Sequence, residues 1–117
     1  MATILTKAEF IEKVADYENN NGEWKFKGAR PAVIDFFAPW CGPCRALSPL
    51  IDEASETYAG KIDVYKIDVD AEPELAGLFG IRSIPSLLFI PMNGEPRMSV
   101  GALPRTQLKE QLEALLA

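Results

Sequence analysis

The chain has no histidine and only two cysteines, Cys41 and Cys44, among its 117 residues. Without imidazole it lacks the commonest general base at neutral pH and the commonest transition-metal ligand. Two cysteines so close in sequence cannot staple a domain, because cross-link stabilisation grows with the length of the closed loop. No apolar run approaches the roughly 18 residues of a membrane-spanning helix. Lys7 and Glu9 break the N-terminus before a secretory leader could develop its apolar stretch. A cytoplasmic protein is therefore the default expectation, with a mature secreted form as the alternative. Positive charge is also scarce: 12 Lys and Arg stand against 17 Asp and Glu, a net of −5. That balance argues against nucleic acid and anionic lipid as partners.

What is present is a chain 48% hydrophobic and 25% charged, the composition of a folded domain rather than a disordered one. Its length fits a single domain spanning residues 1–117. Thr6-Lys7-Ala8-Glu9 has the form of a capping box, and Phe10, Ile11, Val14 and Tyr17 follow at helical spacing, predicting a helix over Thr6–Asp16. Ala2–Leu5 ahead of it reads as a brief edge strand. Asn19-Asn20-Asn21-Gly22 stops the helix, and the alternating Trp24 and Phe26 suit a short strand or an ordered loop.

Ala32–Ala38 is apolar on both faces apart from Asp35, as a parallel strand covered by helices requires. Pro43–Tyr58 reads as a helix that Pro49 should kink, and Ile62–Val69 as the following strand. A strand, helix and strand in succession imply a parallel pair. Pro73–Phe79 is a short helix closed by Gly80. Leu87–Ile90 and Arg97–Val100 flank Asn93-Gly94, a strong hairpin signal, and Leu108, Leu112, Leu115 and Leu116 line a final helix. Together these predict an α/β domain: one mixed sheet with helices on both sides.

The chemistry concentrates in Trp40-Cys41-Gly42-Pro43-Cys44. The sulfurs fall where a strand hands over to a helix, so free N–H groups and the positive end of the helix dipole favour a thiolate. Pro43 sets the backbone so that both sulfurs reach bonding distance within one turn, and the pair can cycle between dithiol and disulfide. Cys41, at the tip, is expected to attack a target disulfide. Cys44, a turn further in and more shielded, is expected to release the mixed intermediate. Half of a zinc site is the competing reading, but zinc takes four ligands and one chain offers two thiolates. Two incidental cysteines fit less well, because Trp40, Gly42 and Pro43 serve an exposed tight turn. A Cys-x-x-Cys near a strand-helix-strand pattern is itself associated with thioredoxin-like redox motifs.

Val33 to Cys44 resembles the signature of the thioredoxin family. Gly80-Ile81-Arg82-Ser83-Ile84-Pro85-Ser86 resembles the loop that family sets against its active site, and Val100-Gly101-Ala102 its closing turn. The likeness covers Pro31–Ala117. Asn19–Arg30 is longer than the family pattern, and Phe37 stands where many members carry tryptophan. The resemblance implies a thioredoxin fold, a central five-stranded mixed sheet with about four helices. It further implies a monomeric protein-disulfide reductase with a redox-active Cys41–Cys44 disulfide and no bound cofactor. Electrons would come from an NADPH-dependent flavoprotein reductase, since the chain has no Gly-x-Gly-x-x-Gly fingerprint of its own. Disulfide-containing proteins would be the clients. Gly42-Pro43 is similar to reducing members rather than oxidising ones.

The same resemblance assigns roles to further residues. Asp35, the one acid of an apolar strand, should have its pKa raised by burial, and the family likeness makes it the acceptor of the Cys44 proton through water; a structural hydrogen bonder is the alternative. Lys66 would lie near Asp35 and lower its pKa; a lysine reaching water from a strand end is the alternative. Most X–Pro bonds are trans, so sequence alone makes Pro85 an ordinary turn proline, whereas the likeness implies a cis Ile84–Pro85 bond. Trp40, Ile84 and Ala102 would rim the sulfurs for extended client segments, supported by Gly42, Pro43, Pro85 and Gly101.

Overall fold

A computed structural model describes residues 2–117. Nine elements follow in chain order: β1 (Thr3–Ile4), α1 (Lys7–Lys13), β2 (Ala32–Phe37), α2 (Gly42–Thr57), β3 (Asp63–Asp68), α3 (Pro73–Leu78), β4 (Ser86–Ile90), β5 (Arg97–Val100) and α4 (Arg105–Leu116). They build one five-stranded sheet in the order β1-β3-β2-β4-β5. β3 runs parallel to both β1 and β2, and β4 runs antiparallel to β2 and β5. No helix among the described residues is long and apolar enough to cross a membrane.

The alternation of β2 explains the layering. Val33 packs with Leu47, Ile51 and Ala54 of α2 and with Leu108, Leu112 and Leu115 of α4. Ala32, Ile34 and Phe36 point the other way, onto Phe10 of α1 and Leu75 of α3. Successive strand side chains take opposite faces, so β2 is buried on both sides. Each large side chain fully buried here contributes about 1.5–3 kcal/mol.

Local chemistry sets the element ends. Thr6 caps α1 through the expected box: Glu9 N–H donates to Thr6 Oγ1 at 3.2 Å and Thr6 N–H donates to Glu9 Oε1 at 3.1 Å. The helix is shorter than its apolar spacing suggests, ending at Lys13. The Phe10 carbonyl accepts from both Val14 and Ala15 N–H groups, which closes the ladder while Val14 and Ala15 still bury their side chains in the core. α2 passes through Pro49 as one continuous helix.

Trp24 and Phe26 form an ordered loop, not a strand. Their rings stack at 6.4 Å, and Trp24 meets Phe79 edge-on at 6.3 Å. Lys27 N–H ties the loop to the Val14 carbonyl at 2.8 Å. The hairpin at Asn93-Gly94 exists but is wider than a two-residue turn: its last ladder pair is Phe89 with Arg97. Pro96 has no N–H to donate to the ladder, and Pro91 ends β4.

Candidate active site

β2 and α2 bring the two sulfurs to the C-terminal edge of the parallel strands. Cys41 is the N-cap of α2, with φ −81° and ψ 113°, and its Sγ accepts from the Cys44 N–H at 3.2 Å. Pro43 fits the first turn because the N–H it lacks would have no helical partner there. No acidic residue occupies that turn, so no carboxylate within it offsets the positive potential at the helix start. Cys41 and Cys44 are joined as a disulfide, with Cα atoms 5.2 Å apart.

The expected contrast in exposure is absent from this oxidised state: Cys41 is 5% exposed and Cys44 3%. Both sulfurs pack with Ala38 against Phe37, Val69 and Ile84. Cys41 Sγ lies 3.9 Å from the Ile84 carbonyl oxygen, a contact without a proton in the disulfide.

The second loop closes over the pair. The Ile84–Pro85 peptide bond is cis, as the family likeness implied and the general preference of X–Pro bonds did not. The Pro85 carbonyl accepts from Gly101 N–H at 2.8 Å, which sets the turn carrying Ala102 beside this loop. Gly101 has φ +95°, a conformation that suits glycine. Among the described residues, no main-chain group pairs with the N–H or carbonyl of Ile84. Trp40 is 68% exposed, and Gly42, Pro43 and Ala102 are exposed as well.

A thioredoxin family model matches residues 2–114. The chain belongs to the thioredoxin family. It is 50% identical over 103 residues to the thioredoxin of Borreliella burgdorferi, covering 88% of this chain and 87% of that protein. To the thioredoxin of Synechocystis it is 46% identical over 112 residues, covering 96% and 94%. The crystal structure of chloroplastic thioredoxin z matches with a TM-score of 0.80 at 26% identity, covering 98% and 94%. The mixed five-stranded sheet with four helices is thus the thioredoxin fold. As a thioredoxin-family protein the chain is a thiol-disulfide oxidoreductase, and Cys41–Cys44 is its redox-active pair.

Beneath the thioredoxin motif, Asp35 lies on the α2 side of the sheet, between Val33 and Phe37 on the same face. It is 1% exposed, and neither carboxylate oxygen has a hydrogen-bond partner among the described residues. Burial pushes its pKa up from 3.8 to about 6; Lys66 pulls it back and Asp52 adds to the rise. Lys66 is the register partner of Asp35 across β2 and β3. Its ammonium nevertheless donates to Ser48 Oγ at 3.0 Å and sits over the Phe37 ring. It stands in register with Asp35 without bonding it, and its half-buried side chain ends on Ser48.

Two partners escaped sequence reasoning. Trp40 Nε1 donates to Asp70 Oδ2 at 2.7 Å, so the exposed ring is held by its polar edge. Ser48, on α2, bonds Lys66 on β3. Both contacts join residues distant in sequence, and neither residue type carries a local signal.

Proposed function

We propose that the chain is a protein-disulfide reductase that passes two electrons from its dithiol to disulfides of other proteins. The observation that carries this reading is the Cys41–Cys44 pair at the capped start of α2, with Cys41 Sγ accepting a backbone N–H. In the dithiol, that N–H and the helix dipole stabilise a Cys41 thiolate.

The thiolate attacks one client sulfur, forming a mixed disulfide and expelling the first client thiolate. Asp35 then takes the proton from Cys44. The Cys44 thiolate attacks Cys41 Sγ, the Cys41–Cys44 disulfide forms, and the second client thiolate leaves and is protonated. Desolvation makes Asp35 a stronger base than an ordinary carboxylate. The unpaired main-chain groups of Ile84 and the exposed Trp40 and Ala102 support a rim for extended client segments. An NADPH-dependent flavoprotein reductase, thioredoxin reductase, would restore the dithiol. A monomer working in the reducing cytoplasm fits this cycle.

NADPH consumption in the presence of such a reductase and a disulfide-bonded protein client tests the reading. Turnover that needs both Cys41 and Cys44 is the expected result. If the Cys41→Ser/Cys44→Ser protein still fulfils the chain's role in a complemented strain, a binding module is the correct description instead.

A further inference from the structure

Asp35 and Lys66 occupy facing positions on neighbouring strands, and opposite charges there attract each other. They do not pair. Among the described residues both Asp35 oxygens are unpartnered, while the Lys66 ammonium reaches α2. There it donates to Ser48 Oγ at 3.0 Å, with the Phe37 ring centroid 4.5 Å away. An aromatic face attracts an ammonium, so two neutral groups on the α2 side hold a cation that the buried acid would otherwise draw in.

Ser48 follows Cys44 by four residues, one turn along the same helix face. Phe37, Cys44, Ser48 and Lys66 together wall a cavity of about 250 Å3. Cys44 and the anchored Lys66 therefore border the same open cleft.

We propose that Ser48 is a positioning residue of the exchange reaction: by accepting a hydrogen bond from Lys66 it anchors that cation at the cavity wall, off Asp35, and preserves Asp35 as a proton acceptor. This rests on the role given to Asp35 above. The charged groups acting on Asp35 are Lys66 from β3 and Asp52 from α2, and its register partner on β4 is the uncharged Leu87. Arg45 also borders the cavity, but its guanidinium donates to the Pro39 carbonyl at 3.2 Å. Lys66 is thus the cation able to change partners. Once its serine is removed it turns to the carboxylate, favours the ionised form, and makes Asp35 a weaker base.

Direct titration of the Asp35 carboxyl carbon by NMR in the disulfide state tests this without any assumption about catalysis. Ser48→Ala should lower the Asp35 midpoint by about one pH unit, the low end for an opposite charge drawn close. Ser48→Thr, which keeps the hydroxyl, should restore the parent midpoint. In a Lys66→Met background, Ser48→Ala should produce no lowering. A midpoint unchanged or raised by Ser48→Ala, or lowered equally without Lys66, would overturn the proposal. The pH profile of disulfide reduction by Asp35→Asn separately tests the proton-acceptor role, so failure of that role would be distinguishable from failure of Ser48 to position the lysine.

Discussion

The Cys44 amide donates to Cys41 Sγ at 3.2 Å, so the resolving residue supplies, through its own backbone, a hydrogen bond to the attacking sulfur. Attack and resolution are thereby tied to one turn of α2. The backbone contribution survives replacement of the Cys44 side chain, because the amide does not depend on it.

A first consequence concerns trapped intermediates. Cys44→Ser keeps the amide and the helix start but removes the second thiol, so it should accumulate covalent adducts with client proteins through Cys41. Cys41→Ser should accumulate none. Non-reducing gels with mass spectrometry of the adducts check this, and equal trapping by both variants would contradict the assigned order.

Asp35 carries a stability cost with a defined pH window. Its folded pKa, about 6, lies above the ordinary 3.8, so between these values the folded state binds more protons than the unfolded one. Stability should therefore fall as pH rises from about 4 to 6, with the full cost present above that range. Asp35→Asn removes the buried charge and should stabilise the fold by about 3 kcal/mol at pH 7, from a shift of about two pH units. The gain should vanish near pH 4, below which both forms are neutral. Urea denaturation of parent and variant at several pH values measures it.

Trp24 anchors the long loop between α1 and β2 by stacking on Phe26 and meeting Phe79 edge-on. It is half-buried, so Trp24→Ala should cost about 2 kcal/mol, below the range for fully buried tryptophans. The ring packs in the cluster on the α1 and α3 side of the sheet, opposite the sulfurs, so the rate of disulfide reduction should stay near that of the parent. Thermal melts and a reduction assay on the same preparation test both halves.

Much of this arrangement was legible in the chain itself because the deciding signals are local. The apolar run of β2, the Thr6–Glu9 box and Pro43 after Cys41 each act on neighbouring residues, and each did so in the structure. α1 ends short of its apolar pattern because Val14 and Ala15 keep the helical spacing while the Phe10 carbonyl already ends the ladder. The hairpin was wider than Asn93-Gly94 alone suggests because the flanking prolines limit pairing. The cis bond before Pro85 follows no composition rule, and only the family likeness pointed to it. Burial of Cys41 has no local signal either: the loop that packs against it, at Ile84, arrives from far along the chain. The Trp40–Asp70 and Lys66–Ser48 hydrogen bonds are likewise products of topology.

The account depends most on ready ionisation of Cys41 in the dithiol. Following thiolate absorbance and the rate of alkylation across pH measures it directly, with Cys44→Ser isolating the single thiol. The arrangement predicts a Cys41 midpoint well below the ordinary thiol value of about 8.5, together with alkylation of the native protein at neutral pH. A midpoint at or above that value, or a sulfur that alkylating reagents reach only after unfolding, would contradict it.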